Sequence, residues 1–352
     1  MWPRNALTER LRLSWPILQA PMGTLSTPAL AAAVSNAGGL GGLGMWGYSA
    51  KDAERRIAGF RQQSSGSINV NYPLWPEPNI SHAAGDKMRQ RLQQHYDAKG
   101  LGPVSIPDGA ASDVGLEHLA TLLATRPEMV SFHFGLPAPD FLQALKRAGV
   151  FVISSATTVA EARHLEAAGV DAIIAQGAEA GGHRATFTGV DISMQPGLFA
   201  LLPQVVDAVC VPVVAAGGIA DARTAAAAVM LGASAIQIGT AFLRCEEANV
   251  PDAHRAALAE ASDASTVVTD VMTGRPARFI RNRLLDDLVA SGLAPLPFPL
   301  QHTAIAPLRA TEDRNMAALF SGQSAALARE TTAAELVERL GRETSQRLRA
   351  FA

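Results

Sequence analysis

Three short motifs place reactive or ligand-facing groups at the ends of apolar runs. The first is Gln176 followed by Gly181-Gly182-His183, directly after the apolar run 172–175. The amide of Gln176 can both donate and accept, and paired glycines let backbone N–H groups approach a ligand closely. His183 is the one titratable group there with a reference pKa near neutrality, which suits proton transfer or a hydrogen bond to an anion. The second and third motifs are Gly217-Gly218 after the run 211–215, and Gln237-Ile238-Gly239-Thr240 closing the run 235–238. Bare backbone amides at such turns, with a helix N-terminus beside them, bind phosphate.

These groups need a scaffold that brings several strand ends to one rim. Short apolar runs at 129–132, 150–154, 172–175, 211–215 and 235–238 alternate with helical stretches, as buried parallel strands do. Earlier strands are expected over 13–20, 40–45 and 67–71. Thr27 and Pro28 supply an N-cap and N1 pair for a helix through Asn36. About eight strand–helix repeats in 352 residues predict an α/β chain with a (β/α)8 TIM barrel. The repeat stops after Phe242, so residues 246–312 are assigned to a smaller, mostly helical accessory lobe beside the barrel mouth. Residues 1–245 and 313–352 are assigned to the barrel. Within the lobe, 266–272 reads as strand-like and 290–307 as Pro-rich and irregular, whereas 315–328 and 333–349 read as helices. A polar helix at 82–99 interrupts the repeat earlier and is expected to cover one side of the mouth.

Gly39-Leu40-Gly41-Gly42-Leu43-Gly44 matches the dinucleotide fingerprint formally, but it follows a helix and lies in a strand. Close backbone packing in the barrel wall is the reading it supports. Asn69 and Asn71 alternate with Ile68 and Val70, so both amides share one strand face and Asn71 reaches the rim. His133 ends the 129–132 run and reads as a strand-end histidine able to support the site.

Composition narrows the partners. A formal net charge of -2 offers no basic field for nucleic acid or anionic lipid, and 48% hydrophobic residues indicate a large core. Two cysteines cannot build a disulfide framework, and no Cys/His cluster has metal-ligand spacing. No run approaches the ~18 apolar residues of a membrane span, so a soluble, cytoplasmic protein without a metal is expected, as a monomer or homodimer. Neutral amides at Asn71, Gln176 and Gln237 suit a heterocycle with alternating donors and acceptors, and the glycine rim suits a phosphate. FMN meets both demands.

The chain resembles the class I nitronate monooxygenases, formerly 2-nitropropane dioxygenases, along nearly its whole length. The matching motifs are Gln19-Ala20-Pro21-Met22, His133-Phe134-Gly135, Ala175 to His183, Ala215 to Ile219, Gln237 to Thr240 and Thr273-Gly274-Arg275. This resemblance implies FMN-dependent oxidation of alkyl nitronates by O2 through a flavin semiquinone, with propionate 3-nitronate as substrate. It implies FMN contacts at Met22, Asn71, Gln176, Gly181, Gly182, Gly217, Gly218, Gln237, Ile238, Gly239 and Thr240, with His183 as the catalytic histidine. The alternative is an FMN-dependent NADH:quinone or enoyl-thioester reductase of the same barrel superfamily. Two departures bear on the substrate: Ala185 follows His183-Arg184 where the family has glycine, and Phe298, Gln301 and His302 stand where the family carries tyrosine and lysine.

Overall fold

Strand β1 (Ile17–Gln19) is followed by β2 (Gly41–Gly44), β3 (Ile68–Pro73), β4 (Met129–His133), β5 (Phe151–Ala156) and β6 (Ala172–Gln176) in the computed structural model. A two-residue strand β7 (Gly182–His183) precedes β8 (Val213–Ala216) and β9 (Ala235–Ile238), followed by β10 (Thr266–Thr269) and β11 (Ala277–Ile280). The structure describes residues 2, 4–107, 112, 114–189 and 191–350.

Eight of these strands form one sheet in the order β1-β9-β8-β6-β5-β4-β3-β2, with parallel pairing throughout. Its two edges meet: Leu40 N–H donates to the Ile17 carbonyl and Gln19 N–H to the Leu40 carbonyl, both at 2.9 Å, which closes the barrel. Side chains alternate between two environments, as strand geometry requires. Leu18, Leu40, Met129, Ile153, Ala172, Ile174, Val214, Ala216 and Ala235 fill the interior, and Leu7 and Leu11 of the N-terminal helix join the same cluster. The intervening residues, such as Val70, Val130, Phe132, Ile173, Val213 and Ile236, pack outward against helices. The helix expected after Thr27 runs Pro28–Asn36, with Leu30 N–H donating to Thr27 Oγ1 at 2.9 Å. The C-terminal helix Ala333–Ala350 returns to pack on the helices Pro28–Asn36 and Ala222–Met230, covering the barrel exterior beside β9.

The glycines of the 39–44 segment do lie in the barrel wall. An added Cβ on Gly41 would stand 2.1 Å from the Ala31 carbonyl oxygen, and one on Gly44 2.5 Å from the Gly23 nitrogen. Backbone cannot yield there as a flexible side chain would. Gly41→Ala is therefore expected to cost about 3 kcal/mol or more, read as a lowered thermal midpoint or loss of soluble protein.

Several sequence expectations change in the accessory region. Residues 300–309 form a helix, Leu300–Arg309, although 290–307 reads as irregular. Pro299 is at the helix N-cap, where a missing N–H costs nothing, whereas Pro307 lies inside the last turn and forgoes one helical hydrogen bond. The 315–328 segment is not a helix but two 3₁₀ turns, Arg314–Met316 and Ala325–Leu327, with an extended stretch between them. That stretch lies along β11: Ile280 N–H donates to the Leu319 carbonyl at 2.8 Å, and Phe320 bridges Phe279. The strand-like segment 266–272 ends as a strand at Thr269.

The helix Leu300–Arg309 owes its place to the earlier excursion. Helix His82–Ala98 contributes Met88, Leu92 and Tyr96 to a core shared with Leu300, Ala304 and Leu308. Tyr96 donates its hydroxyl to the Ala304 carbonyl at 2.6 Å. Among the described residues no helix is long and apolar enough to cross a membrane.

Candidate active site

The C-terminal ends of the barrel strands open on one cavity of about 940 Å³, a size within the range of cofactor-binding clefts. Of the residues singled out in the sequence, Met22, Asn71, His133, Gln176, Gly181, Gly182, His183, Gly217, Gly218, Gln237, Gly239 and Thr240 all line it. Ile238 does not. Its side chain is buried in the cluster between sheet and helices, because it alternates with Gln237 along β9.

His183 is held by a loop that the barrel itself fastens. Gln176, at the end of β6, donates from Nε2 to the His183 carbonyl (3.1 Å) and accepts at Oε1 from the Ala185 N–H (2.9 Å). Arg184 is 1% exposed, and its guanidinium donates to the carbonyls of Gly177 and Gln176 and to Gln195 Oε1. Glu161, wholly buried, accepts from Thr157 on one side and from Thr186, Phe187 and Thr188 on the other. The loop is thus tied to the end of β6 itself and, through Glu161 and Thr157, to the end of the neighbouring β5. Part of it, β7, pairs antiparallel with β11, with His183 opposite Ala277. This ladder joins β11 to the candidate catalytic residue. Two residues carry no periodicity, so β7 left no signal in the sequence.

The imidazole of His183 sits among rings: Phe298 at 5.0 Å, Phe320 at 5.4 Å, Phe134 at 5.9 Å and Trp46 at 6.3 Å between centroids. Burial drives its pKa well below the usual histidine value, and His302, His133 and Arg275 push it further the same way. His133 is lowered to about 4, chiefly by burial, although its hydrogen bond to the His183 carbonyl works in the opposite direction. His302, on the helix Leu300–Arg309, is lowered to about 3 by burial and then by Arg309. Three neutral imidazoles therefore face one cavity at neutral pH. Each can accept or donate a hydrogen bond without bringing a charge of its own.

Trp46 and Phe320 were not singled out in the sequence, and Phe298 and His302 were named there only as a departure from the family's substrate-side segment, without a place in the cavity. Trp46 had a usable signal, since it stands just beyond the C-terminal end of β2. The other three lie in the segments whose secondary structure was misread.

Elsewhere around the same cavity the chain approaches itself closely. Gly217 and Gly218 have φ of +113° and +68°, in the left-handed region that favours glycine. A Cβ on Gly181 would lie 2.5 Å from the Gly322 nitrogen, and Gly322 N–H donates to Thr240 Oγ1 at 2.9 Å. Ser321 and Gly322 also line the cavity. Their partner Gly181 was visible in the sequence, but the approach of residue 322 was not.

A closed parallel barrel whose strand ends surround a cavity with a buried, neutral imidazole defines a TIM-barrel enzyme. A family model described as nitronate monooxygenase matches residues 4–343. The chain is 42% identical to a nitronate monooxygenase of Pseudomonas aeruginosa, over 96% of this chain and 98% of that one. It is 40% identical to a nitronate monooxygenase of Paraburkholderia phytofirmans, over 99% and 98% respectively. Among solved structures, a nitroalkane oxidase from Streptomyces ansochromogenes superposes with a TM-score of 0.92 at 39% identity, covering 99% of this chain and 100% of that one. FabK from Thermotoga maritima superposes with a TM-score of 0.77 at 29% identity and the same coverage. The chain belongs to the nitronate monooxygenase family.

Proposed function

We propose that the protein is an FMN-dependent enzyme that oxidises alkyl nitronates with molecular oxygen to carbonyl compounds plus nitrite or nitrate, with propionate 3-nitronate as a substrate. The observation that carries this reading is one cavity lined by both a glycine rim and a buried neutral imidazole. The names of the Pseudomonas, Paraburkholderia and Streptomyces relatives point to the same nitro chemistry.

The residues fit FMN. Gln237 Oε1 is buried without a hydrogen-bond partner, an acceptor in want of a ring N–H. Asn71 spends its Nδ2 on Ser131, which leaves its carbonyl oxygen as an acceptor. Gln176 keeps one amide hydrogen beyond the one given to His183. These three amides would hold the ring, with Met22, Gly181 and Gly182 beside it. The backbone at Gly217, Gly218, Gly239 and Thr240 would hold the phosphate, Ile238 contributing main chain only. When bound, FMN supplies the electron acceptor and the route to oxygen.

The protein's own part is binding, orientation and proton handling. His183 removes the α-proton of a neutral nitroalkane, and the N–H so formed then donates a hydrogen bond to the nitronate produced. The rings of Trp46, Phe134, Phe298 and Phe320 keep water from that imidazole, which strengthens each polar contact it makes.

Purified protein is expected to be yellow, or to become so on reconstitution with FMN. Gly218→Val forces a β-branched residue into φ +68° and crowds the glycine rim. It is expected to weaken FMN binding roughly tenfold or more while the far-ultraviolet circular dichroism stays that of the parent. FMN affinity unchanged in this variant would remove the rim from the cofactor site.

A further inference from the structure

We infer that Thr273 selects the tautomer of His183, fixing the ring proton on Nε2 and leaving Nδ1 as the basic nitrogen for the cavity. The inference rests on reading His183 as the active-site base, but its geometry stands on its own. Thr273 is wholly buried, with its Oγ1 3.0 Å from His183 Nε2 and 2.9 Å from the Arg275 carbonyl oxygen. A hydroxyl has one proton to give. The Arg275 carbonyl can only accept, so the hydroxyl proton goes there, and toward His183 the oxygen presents a lone pair. Nε2 must then carry the hydrogen. The opposite tautomer would turn the hydroxyl proton to Nε2 and leave two oxygen lone pairs facing each other at 2.9 Å.

The surrounding backbone keeps the relay in place. Gly274 has φ +82°, and a Cβ on it would lie 2.0 Å from the Leu296 carbonyl oxygen, so the turn between Thr273 and Arg275 admits only glycine. His183 is paired to β11 at Ala277, two residues beyond Arg275, and Arg184 N–H donates to the Pro276 carbonyl at 2.8 Å. Nδ1 makes no hydrogen bond among the described residues, while His183 lines the cavity.

The charged and titratable groups around the ring favour its neutral form. His133 faces it from β4, His302 from the helix Leu300–Arg309, and Arg275 from the turn, and all three oppose protonation. With protonation suppressed, which nitrogen bears the single hydrogen decides whether a lone pair meets the substrate. Thr273 acts through His183 and is a positioning residue.

The direct test is the ¹⁵N spectrum of protein labelled at histidine, with the His183 signals assigned by their loss in His183→Asn. At neutral pH the inference requires a neutral ring with a pyrrole-type Nε2 and a pyridine-type Nδ1. A ring protonated on Nδ1 overturns it, whether or not any nitro compound is turned over, so failure here is distinct from failure of the proposed activity. The variants give a second reading. Thr273→Val removes the hydroxyl at nearly constant volume and is expected to lower kcat/KM for neutral nitroalkanes about tenfold to a hundredfold. Nitronate turnover should stay within about twofold, since no proton is then removed, and Thr273→Ser should restore most of the loss. Equal losses on nitroalkanes and nitronates, or no recovery with serine, would reduce Thr273 to a packing role.

Discussion

Replacing His183 with alanine is expected to leave FMN bound and to cut kcat/KM for neutral nitroalkanes by about 10² to 10⁴, with a far smaller loss on nitronates. The asymmetry follows from where the proton is. A neutral nitroalkane must lose an α-proton to a positioned base before it can be oxidised, whereas a nitronate arrives already deprotonated and needs only to be held. On the proposed reading FMN is held elsewhere, by the glycine rim and the amides of β3, β6 and β9, so its binding should survive. The pH dependence has a definite direction. Because the free imidazole is held well below its ordinary pKa by burial and by His302, His133 and Arg275, it stays a base as the solution is acidified. The acidic limb of kcat/KM for a nitroalkane should therefore fall below the reference value near 6.5. Parallel losses on nitroalkane and nitronate in His183→Ala would show that this residue is not the base.

Glu161→Ala should produce the largest loss of stability among single side-chain truncations near the site, about 3–5 kcal/mol. Its carboxylate receives two bonds from Thr157 at 2.7 Å, and from the loop it receives Thr186 Oγ1 and Phe187 N–H at 2.8 Å. Truncation strands these donors in a buried space, and each unsatisfied group carries its own desolvation cost. Thermal unfolding should show a midpoint lower by roughly 4–7 °C, against a change within about 0.5 kcal/mol for a surface control such as Glu54→Ala. Activity should fall as well, since the same carboxylate fastens the loop that carries His183. Burial by itself would raise this carboxyl's pKa, but its hydrogen bonds from Thr157, Phe187 and Thr186 outweigh burial and hold it below the ordinary glutamate value. The stability it confers is therefore present above the unfolded pKa and is lost as the pH falls through the lower, folded one. Acid unfolding of Glu161→Ala should lack that component. An unchanged midpoint would mean that the loop is held by Arg184 alone.

How much of this was legible in the sequence depended on the kind of signal. The barrel was legible because buried parallel strands write themselves as apolar runs, and glycine at strand ends marks a rim. The runs at 172–175, 211–215 and 235–238 correspond to β6, β8 and β9, and the polar residues after them meet in one cavity. The accessory side was not legible. Proline at 297, 299 and 307 argued against a helix, yet the chain uses Pro299 at its start and Pro307 near its end, and tertiary packing on Tyr96 and Leu92 supplies the rest. The 315–328 segment carries helix-forming residues but lies extended on β11, where sheet hydrogen bonds and the close approach of Gly322 to Gly181 override local propensity. Gln176 illustrates a subtler gap: its amide was foreseen at the rim, but its engagement of both His183 and Ala185 needed the loop's path in space.

The most direct test of the account is to mix the FMN-loaded protein anaerobically with propionate 3-nitronate and, separately, with NADH, following flavin absorbance. The account predicts bleaching with the nitronate, reoxidation when oxygen is admitted, and no bleaching with NADH. Bleaching by NADH alone would contradict it and assign the cavity to a reductase.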